Sequence, residues 1–281
     1  MSKIIIMPKS IEQIDKLINK IDGILIGLKD LSVNMPHYFS FFEIKEMIEK
    51  YKNKEIFVAL NKNMHNNDLE YLKEVLKELE NKNIKILYYD IALINLKQEL
   101  NLNIELVFSE EHSVTNYATI NYWNSMGANY AYLSNEITLE EILEIKEKSK
   151  SKLLVNVLGY IPIFVSERKL INNYLTYFNL DKSNNYYMEK EGKKYYIVEN
   201  KYDTEVYSNY ILNAIDEIKI YKEKNIDYLV FNSFNIEENN FNKIIENIDA
   251  ITSEEVEKLL TNTDKGFLYK ETIYKVKNYE K

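Results

Sequence analysis

Cysteine is absent from this 281-residue chain, and glycine, proline and histidine are rare. Without cysteine, the chain cannot form a disulfide, use a thiolate nucleophile, or ligate zinc or an iron–sulfur cluster through thiolates of its own. No apolar run reaches membrane-spanning length, and the first residues, MSKIIIMPKSIEQ, lack the apolar core and cleavage site of a signal peptide. The sequence therefore predicts a cytoplasmic protein that does not enter a membrane.

The chain is also short of positive charge, and nearly all of that charge is lysine. Lys and Arg number 36 against 44 Asp and Glu, which leaves a net charge of −8. A protein of this charge is not expected to bind RNA by itself, although a basic partner could supply that contact. Arg168 is the one arginine. A single arginine among so many lysines suggests that position 168 requires the planar, permanently charged guanidinium group, unless Arg168 is a chance surface residue.

Eight short apolar runs alternate with segments of helical periodicity. Continuous apolar runs are typical of parallel strands that are covered on both faces. This order predicts an α/β fold, a TIM-like (β/α)8 barrel, as a single domain over residues 1–281. An open doubly wound sheet is the alternative, but no glycine-rich phosphate-binding turn follows the first run. The runs are Lys3–Met7, Gly23–Gly27, Glu55–Leu60, Ile84–Tyr89, Ile104–Phe108, Tyr130–Leu133, Leu153–Leu158 and Asp227–Phe231.

The connection after the seventh run, from Gly159 to about Ser208, is too long for a strand-to-helix loop. Within this insertion, YYMEKEGKKYYIVEN alternates around Gly192 and predicts a β-hairpin. An insertion at this point should lie on the C-terminal face of the barrel, where the active sites of such barrels are built. A short strand-like tail over residues 263–278 follows the last predicted helix.

Polar residues follow the predicted strands and are the candidate site residues, because parallel strands of a barrel end on one face. Glu136 and Arg168 are the candidate catalytic residues, Glu136 because Thr138 and Glu141 already supply the neighbouring helix cap. We expect Glu136 to pair with Arg168, either to act on a ligand or to hold the insertion down. The ligand-binding candidates at strand ends are Asn61, Asp90, Ser109 and Asn232, with Pro8, Glu110, Glu111, Asn135, Gly159 and Ser233 beside them.

Some of these residues have a purely structural alternative. Asn61 could simply terminate a strand, and Asp90 could be the N-cap of the helix that follows it. His37, His65 and His112 do not have the spacing of a metal site. We therefore expect that this chain binds no metal or other cofactor, and that the purified protein carries neither an iron–sulfur cluster nor tightly bound zinc.

The segment VFSEEHSVTNYATINYWNSMGANYAYLSNEITLEEI resembles the middle of peptidase family U32, the collagenase-like peptidases. A strand ending in Ser, a Thr-Asn helix start, Gly-Ala, and a strand ending ahead of Thr-Leu-Glu-Glu occur in the family's order. LGYIPIFVSERKLINNYL resembles the family signature, and GILIG, FVALN and KGFLYKETIYKV also fit. The resemblance runs nearly end to end, and it places on family positions Asn61, Asp90, Ser109, Asn116, Glu136 and Arg168. Asn116 is therefore a further ligand-binding candidate.

The chain departs from the family pattern at four positions, and the family's later pair of cysteines is missing as well. Leu158 replaces the family's His, Pro162 and Lys169 replace two cysteines, and Asn135 replaces an Arg beside Glu136. Family members that hydroxylate tRNA, ribosomal RNA or ubiquinone precursors are understood to hold an iron–sulfur cluster with four cysteines. If such a cluster takes part, the resemblance implies that a partner carries it.

Three functions are consistent with this resemblance. The first is a divergent or accessory subunit of tRNA or other RNA hydroxylation, similar to the short chains paired with a longer, cluster-bearing paralogue that hydroxylate wobble uridine. In that case, RNA would be bound only through the partner. The second is a peptidase, as the family's name implies. The third is a non-catalytic barrel that binds a small anionic metabolite.

Overall fold

The computed structural model describes residues 2–183, 185–201 and 203–270. Strands and helices alternate over most of this length, as the sequence predicted. The elements, in chain order, are β1 (Lys3–Met7), α1 (Ile11–Leu17), β2 (Gly23–Leu28), β3 (Tyr38–Phe39), α2 (Phe41–Lys50), β4 (Glu55–Leu60), a 3-10 helix (Asn66–Asp68), α3 (Leu69–Leu79), β5 (Lys85–Tyr88), α4 (Ala92–Glu99), β6 (Glu105–Phe108), α5 (Tyr117–Ser125), β7 (Tyr130–Tyr132), α6 (Leu139–Lys148), β8 (Lys152–Ser166), α7 (Leu170–Phe178), β9 (Tyr186–Lys190), β10 (Lys193–Glu199), β11 (Thr204–Asn213), α8 (Ile218–Glu223), β12 (Tyr228–Asn232), α9 (Glu238–Glu246), α10 (Ser253–Leu259) and β13 (Thr263–Asp264).

Eight parallel strands close into a barrel in the order β12-β1-β2-β4-β5-β6-β7-β8. Strand β12 closes it by pairing in parallel with β1 on one side and with β8 on the other. Ile5 lies opposite Val230 in the first pair, and Leu154 lies opposite Tyr228 in the second. The predicted TIM-like barrel is confirmed. An open doubly wound sheet is excluded, because such a sheet leaves two strand edges unpaired.

Two apolar clusters account for the continuous apolar runs. Successive residues of a strand point to opposite faces, so one set fills the barrel interior and the other packs under the helices. Ile5 and Phe57 belong to the interior cluster, whereas Ile6 and Val58 pack against the helix layer, and all four are fully buried. A strand covered on both faces has no solvent side, and its sequence therefore shows no alternation.

Strand β8 is longer than the predicted seventh strand, because its second half leaves the barrel and pairs with another element. Beyond Leu158 it runs antiparallel to β11, as far as the pairing of Ser166 with Thr204. Gly159 lies at this departure with φ +134°, and a Cβ there would come within 2.6 Å of the Asn232 Cβ. A side chain at position 159 would therefore prevent β8 from passing β12 at this distance.

The insertion contains the predicted hairpin. Strands β9 and β10 pair antiparallel. Glu191 and Gly192, at the turn between them, both have positive φ, which fits the tight turns that join such strands. Helix α7 precedes the hairpin, and none of its residues is buried.

Local contacts set several of the element boundaries. Helix α5 begins at Tyr117, because the Asn116 side chain caps it. Two separate helices, α9 and α10, follow β12, since Thr252 opens α10 with a capping box. Strand β11 continues to Asn213, a few residues before α8 begins.

The end of the described chain adds a short strand. In the predicted tail, β13 pairs in parallel with β11, and the part of the tail beyond residue 270 lies outside the described residues. Among the helices that the structure describes, none has the length and apolar character needed to cross a membrane.

Candidate functional site

A cavity of about 280 Å³ lies at the carboxyl ends of the barrel strands. Its floor is apolar and includes Met7, Leu25 and Leu87, which come from three strands of the barrel. Its upper wall is formed by residues 160–167, the part of β8 that has left the barrel and the bend after it. The barrel mouth is the usual position of the active site in this fold, and the insertion supplies one wall of it.

Four of the predicted site residues line this cavity: Asn61, Ser109, Glu136 and Asn232. Asn61 and Asn232 also make hydrogen bonds that stabilise the fold. The Asn61 amide bonds both the N–H and the C=O of Val33, each at 3.1 Å. Asn232 accepts a hydrogen bond from the Phe234 N–H at 2.8 Å. Both amides therefore hold loops of the mouth in place. The Ser109 hydroxyl has no hydrogen-bond partner among the described residues.

Three predicted site residues do not line the cavity. Asp90 accepts the N–H groups of Met64 and Ala92 at 2.9 and 2.8 Å, so its carboxylate organises two loops. Asn116 is the N-cap of α5 and accepts the Thr119 N–H at 2.9 Å. Arg168 is exposed on the bend after β8. Asn116 therefore caps a helix, whereas Asp90 is not the N-cap of α4: it precedes the N-cap residue Ile91 and accepts the Ala92 N–H.

The expected ion pair between Glu136 and Arg168 is not formed. The Glu136 carboxylate lies 3.8 Å from the Nδ1 atom of His112 instead. Within the described ranges, no carboxylate pairs with the Arg168 guanidinium. Arg168 and Glu136 follow adjacent barrel strands, but the extension of β8 to Ser166 places the arginine beyond the barrel rim. The sequence did not reveal this extension, because the strand continues through a proline at position 162.

A chain of hydrogen bonds that the sequence did not predict crosses one wall of the cavity. The Tyr132 hydroxyl donates to Asn156, and the Asn156 amide donates to Asn135 at 2.7 Å. Asn135 in turn donates its backbone and amide N–H groups to one Glu111 oxygen, at 2.8 and 3.0 Å. The only signal for Asn156 in the sequence is a lone amide inside the apolar run LLVNVL. A buried strand residue of that kind is retained where its polar group has partners.

The cavity is negatively charged. Among the described residues, Lys62 is the only lysine or arginine that lines it, and its Nζ is bound to Asp68 at 3.0 Å. Burial raises the pKa of the Glu111 carboxyl and the pKa of the Asp203 carboxyl above their usual range. Five carboxylates line the same space: Glu110, Glu111, Glu136, Glu167 and Asp203.

A buried carboxylate attaches the returning strand to the barrel. Glu205 on β11 accepts hydrogen bonds from the Asn34 N–H at 2.8 Å, from the Tyr38 hydroxyl, and from the Tyr207 hydroxyl at 2.7 Å. Glu205 is 2% exposed, and burial raises the pKa of its carboxyl. No cation contacts it among the described residues. Asn34 and Tyr38 lie beside β2, which is the third strand round the barrel from β8, so this cluster joins the insertion to the barrel rim.

The cavity does not hold the groups of the common protease mechanisms. No hydrogen bond links a serine to a histidine in the part of the chain that the structure describes, and no three His, Asp or Glu side chains there converge on one point. His65 and His112 instead contact the carboxylates of Glu167 and Glu136, respectively.

The donor set does not fit an iron–sulfur cluster. Pro162 lies in the β8–β11 pairing, and the Lys169 Nζ donates to the Asn200 carbonyl at 2.6 Å. These two positions, at which the family resemblance predicts cysteines, therefore have structural roles here. No thiolate exists elsewhere in the chain to replace them.

The sequence matches the model of peptidase family U32 over residues 9–272. It is 26% identical to the tRNA hydroxylation protein P2 of Bacillus subtilis (strain 168), over 89% of this chain and 91% of that protein. It is 27% identical to the tRNA hydroxylation protein P1 of the same organism, over 55% of this chain and 38% of P1. The Haemophilus influenzae tRNA hydroxylation protein P is 29% identical over 43% of this chain and 27% of that protein.

The fold is also found in a solved structure. The U32 peptidase Mk0906 superposes with a TM-score of 0.52 at 14% sequence identity, over 82% of this chain and 92% of that one. At this identity, the similarity concerns the fold alone.

Proposed function

The chain belongs to peptidase family U32, and from this we propose that it is an accessory subunit of tRNA hydroxylation that acts with a longer, cluster-bearing member of the same family. One observation carries the proposal: a chain without cysteine is similar over nine-tenths of its length to tRNA hydroxylation protein P2. A protein that cannot ligate the cluster can take part in such chemistry only if another chain holds it.

The longer relatives fit the part of the partner. The tRNA hydroxylation protein P1 extends well beyond the region that this chain matches, which is 38% of P1. A cluster held in such a paralogue would supply the redox chemistry. The present chain would contribute its barrel mouth and its insertion. Its net charge of −8 means that the paralogue would also make most of the contacts with tRNA phosphates.

The test is a deletion strain of the source organism whose tRNA nucleosides are analysed by mass spectrometry. We expect hydroxylated wobble uridine to fall or disappear, and to return when the intact gene is supplied on a plasmid. Deletion of the longer paralogue is the matched control and should give the same nucleoside profile. An unchanged content of hydroxyuridine in the first strain would contradict the proposal.

A second test addresses the partnership. The two chains should co-elute as one species in anaerobic size-exclusion chromatography, with iron in the complex and none in the present chain alone. Stoichiometric iron or zinc in this chain by itself would overturn the assignment of the cluster to the partner. Like the partnership, the cytoplasmic location expected from the sequence stays a prediction.

Neither alternative function is favoured. The peptidase interpretation lacks a serine–histidine pair or a metal triad among the described residues, and the chain has no cysteine nucleophile. A small anionic metabolite would enter a cavity with five carboxylates and, among the described lining residues, a single lysine that is already ion-paired. These carboxylates would repel the negative charge of the metabolite, and repulsion between like charges is strong in a poorly solvated site.

A further inference from the structure

Helix α7 of the insertion carries an apolar face that is uncovered in the described part of the chain. Leu170, Tyr174, Tyr177 and Phe178 are spaced as i, i+4, i+7 and i+8, so they lie along one side of the helix. All four side chains are exposed to solvent. The centre of the Phe178 ring lies 4.7 Å from that of Tyr174 and 4.9 Å from that of Tyr177. These four side chains form one continuous surface, which we call the α7 face.

The helix is fixed to the rest of the insertion at its start and along its other side. The Leu170 N–H donates to the Thr204 hydroxyl at 3.1 Å. The Ile171 N–H donates to the Glu199 carboxylate at 2.8 Å. Ile171 and Leu175 are half-buried and line a groove together with residues of β10. The α7 face is therefore presented by an anchored helix, and binding to it costs less ordering entropy than binding to a loose segment would.

The α7 face is large for an exposed apolar surface. Tyr174, Tyr177 and Phe178 are 57%, 83% and 54% exposed, which corresponds to roughly 300–500 Å² if each aromatic side chain has about 150–250 Å². The largest apolar patch on a typical monomer is about 300–600 Å² and often has a function. The same insertion exposes six more large apolar side chains: Ile163, Phe164, Val165, Leu180, Tyr187 and Met188. Residues 163–188 thus hold ten of the nineteen large apolar side chains that are exposed among the described residues, which marks this segment as an interaction surface.

The composition of this surface fits a protein partner better than RNA. No charged residue occurs between positions 170 and 180. The cores of protein–protein interfaces are likewise poor in charge and rich in aromatic residues and arginine, and Arg168, the one arginine of the chain, is exposed two positions before α7. Surfaces that stack RNA bases instead combine aromatic rings with a basic groove for the phosphates. The α7 face lacks such a groove, because none of its residues is basic.

Charge distinguishes a second copy of this chain from a different protein. The insertion, residues 159–208, holds seven basic and seven acidic residues, so the net charge of −8 lies on the remainder of the chain. Two copies joined at the α7 face would bring together two bodies of that same charge, which repel each other. A paralogue that makes the contacts with tRNA phosphates has to be basic, and its charge would instead attract this chain.

We propose that the α7 face docks into an apolar groove on the longer, cluster-bearing paralogue. The identity of this occupant rests on the proposed function, whereas the location of the surface does not. A helix that presents side chains at i, i+4 and i+7 commonly fills such a groove. Residues 160–167, which lead into α7, form the upper wall of the mouth cavity, so the paralogue would lie beside the mouth.

The test is the dissociation constant of the complex between this full-length chain and the purified paralogue, measured anaerobically by biolayer interferometry. Tyr174→Lys combined with Tyr177→Lys places two charges in the contact. We expect this double variant to weaken the complex at least about thirtyfold, the effect of losing one interface hot spot. Tyr177→Phe keeps the ring and should leave the affinity within about threefold of the wild type.

The matched control is Phe42→Lys combined with Tyr122→Lys. These side chains are 66% and 58% exposed on α2 and α5, away from the insertion. The control makes the same change in net charge, so it separates loss of the contact from a weaker attraction to a basic partner. It should bind the paralogue as the wild type does. Both double variants change exposed positions only, and their melting temperatures verify that they fold.

Every other result would overturn the inference, each in a distinct way. Equal affinity of the two double variants for the paralogue would place the contact elsewhere and leave the proposed function intact. A dimer of this chain in light scattering, dissociated by the α7 substitutions, would assign the face to a second copy. Binding of purified tRNA by this chain alone, abolished by the same substitutions, would assign it to RNA. Failure of the wild type to bind the paralogue would refute the docking, and the hydroxyuridine content of the deletion strain then decides separately whether the proposed function stands.

Discussion

The two ends of the barrel differ in how their charged side chains are paired. At the amino ends of the strands, Lys3 and Lys85 both bind the Glu55 carboxylate, and the Lys85 Nζ lies 3.9 Å from Glu105. The Tyr130 hydroxyl donates to Glu105 at 3.1 Å. At the carboxyl ends, five carboxylates face a cavity whose one described lysine is already paired. Lysines thus pair with the carboxylates at the closed end, whereas none of the five carboxylates at the open end forms an ion pair with a described lysine or arginine.

This difference indicates that the charged residues at the amino end contribute to stability, and that those at the carboxyl end are available for function. The ion pairs of the amino end lie over the interior cluster, where the Lys85 Nζ is 5.8 Å from the centre of the Phe57 ring. Buried charges of this kind persist only when they are paired. At the mouth, burial raises the pKa of the Glu111 and Asp203 carboxyls, and groups with a shifted pKa are concentrated at functional sites. In barrels of this type, residues at the amino face generally contribute to stability, and the catalytic residues lie at the carboxyl face.

Removal of Lys85 should have the largest effect and would test the matched end directly. The Lys85 side chain is only 6% exposed, and Lys85→Ala leaves the Glu55 and Glu105 carboxylates short of a cation. We expect the free energy of unfolding to fall by about 3–5 kcal/mol, as for other broken buried pairs. Urea denaturation measures it. Lys77→Ala, an exposed residue of α3, should change it by less than about 0.5 kcal/mol. Equal losses would mean that the closed end is not held by charge pairing.

Glu205 is a carboxylate near the mouth that should matter for stability, because it is hydrogen-bonded rather than free. Glu205→Ala leaves the Tyr38 and Tyr207 hydroxyls and one backbone N–H without an acceptor. The expected loss is about 3 kcal/mol, given that each buried unpaired group costs about 1–3 kcal/mol. The matched control is Glu189→Ala, on the exposed strand β9 of the same insertion, which should leave the urea midpoint unchanged. A stable Glu205→Ala variant would show that the insertion is attached to the barrel by other contacts.

The pH dependence of stability should have opposite signs at the two ends. Burial opposes ionisation of Glu55, but the hydrogen bonds from Lys3 and Lys85 outweigh it and lower the pKa of this carboxyl. Its contribution is therefore present above the unfolded-state pKa of about 4.3 and is lost as the pH falls through the folded-state pKa. The pKa of Glu111 is raised by burial. The folded chain then holds a proton longer than the unfolded chain does, and stability falls as the pH rises from about 4.3 through the folded-state value.

Substitution of Glu111 isolates the second of these contributions. Glu111→Gln keeps an oxygen for the Asn135 donors and removes the titration. Relative to this variant, the wild type should lose stability as the pH rises above the reference Glu pKa of about 4.3. Melting temperatures of the two proteins, compared at increasing pH, provide the measurement. A constant difference between the two proteins would show that Glu111 does not titrate abnormally.

The smallest effect is expected at Arg168. Its guanidinium is exposed and contacts no carboxylate among the described residues, so Arg168→Lys should change the free energy of unfolding by less than about 0.5 kcal/mol. A loss of about 1–3 kcal/mol would instead indicate a buried pair. If the substitution lowers hydroxyuridine in tRNA without changing the melting temperature, Arg168 serves a partner or RNA rather than the fold.

Local features of the sequence were sufficient to predict the barrel. The eight apolar runs, the Thr138–Glu141 capping box and the hairpin turn at Gly192 each depend on near neighbours in the chain, and all occur in the structure. The strand-end residues Asn61, Ser109, Glu136 and Asn232 could also be placed at one cavity, because the parallel topology alone brings strand ends together. The lack of cysteine was by itself enough to exclude a cluster bound by thiolates of this chain.

The site itself depended on contacts between residues that are distant in the sequence. The hydrogen bonds from Tyr132 through Asn156 to Glu111 connect two strands with the loop after β6, and Glu205 meets Asn34 across 171 positions. Propensity and periodicity describe single elements, so they carry no information about such pairs. The predicted Glu136–Arg168 pair failed for the same reason, since only the pairing of β8 with β11 carries Arg168 beyond the rim. The sequence determined which residues end the strands, and the tertiary structure decided which carboxylates are paired, which are buried and which remain free to bind.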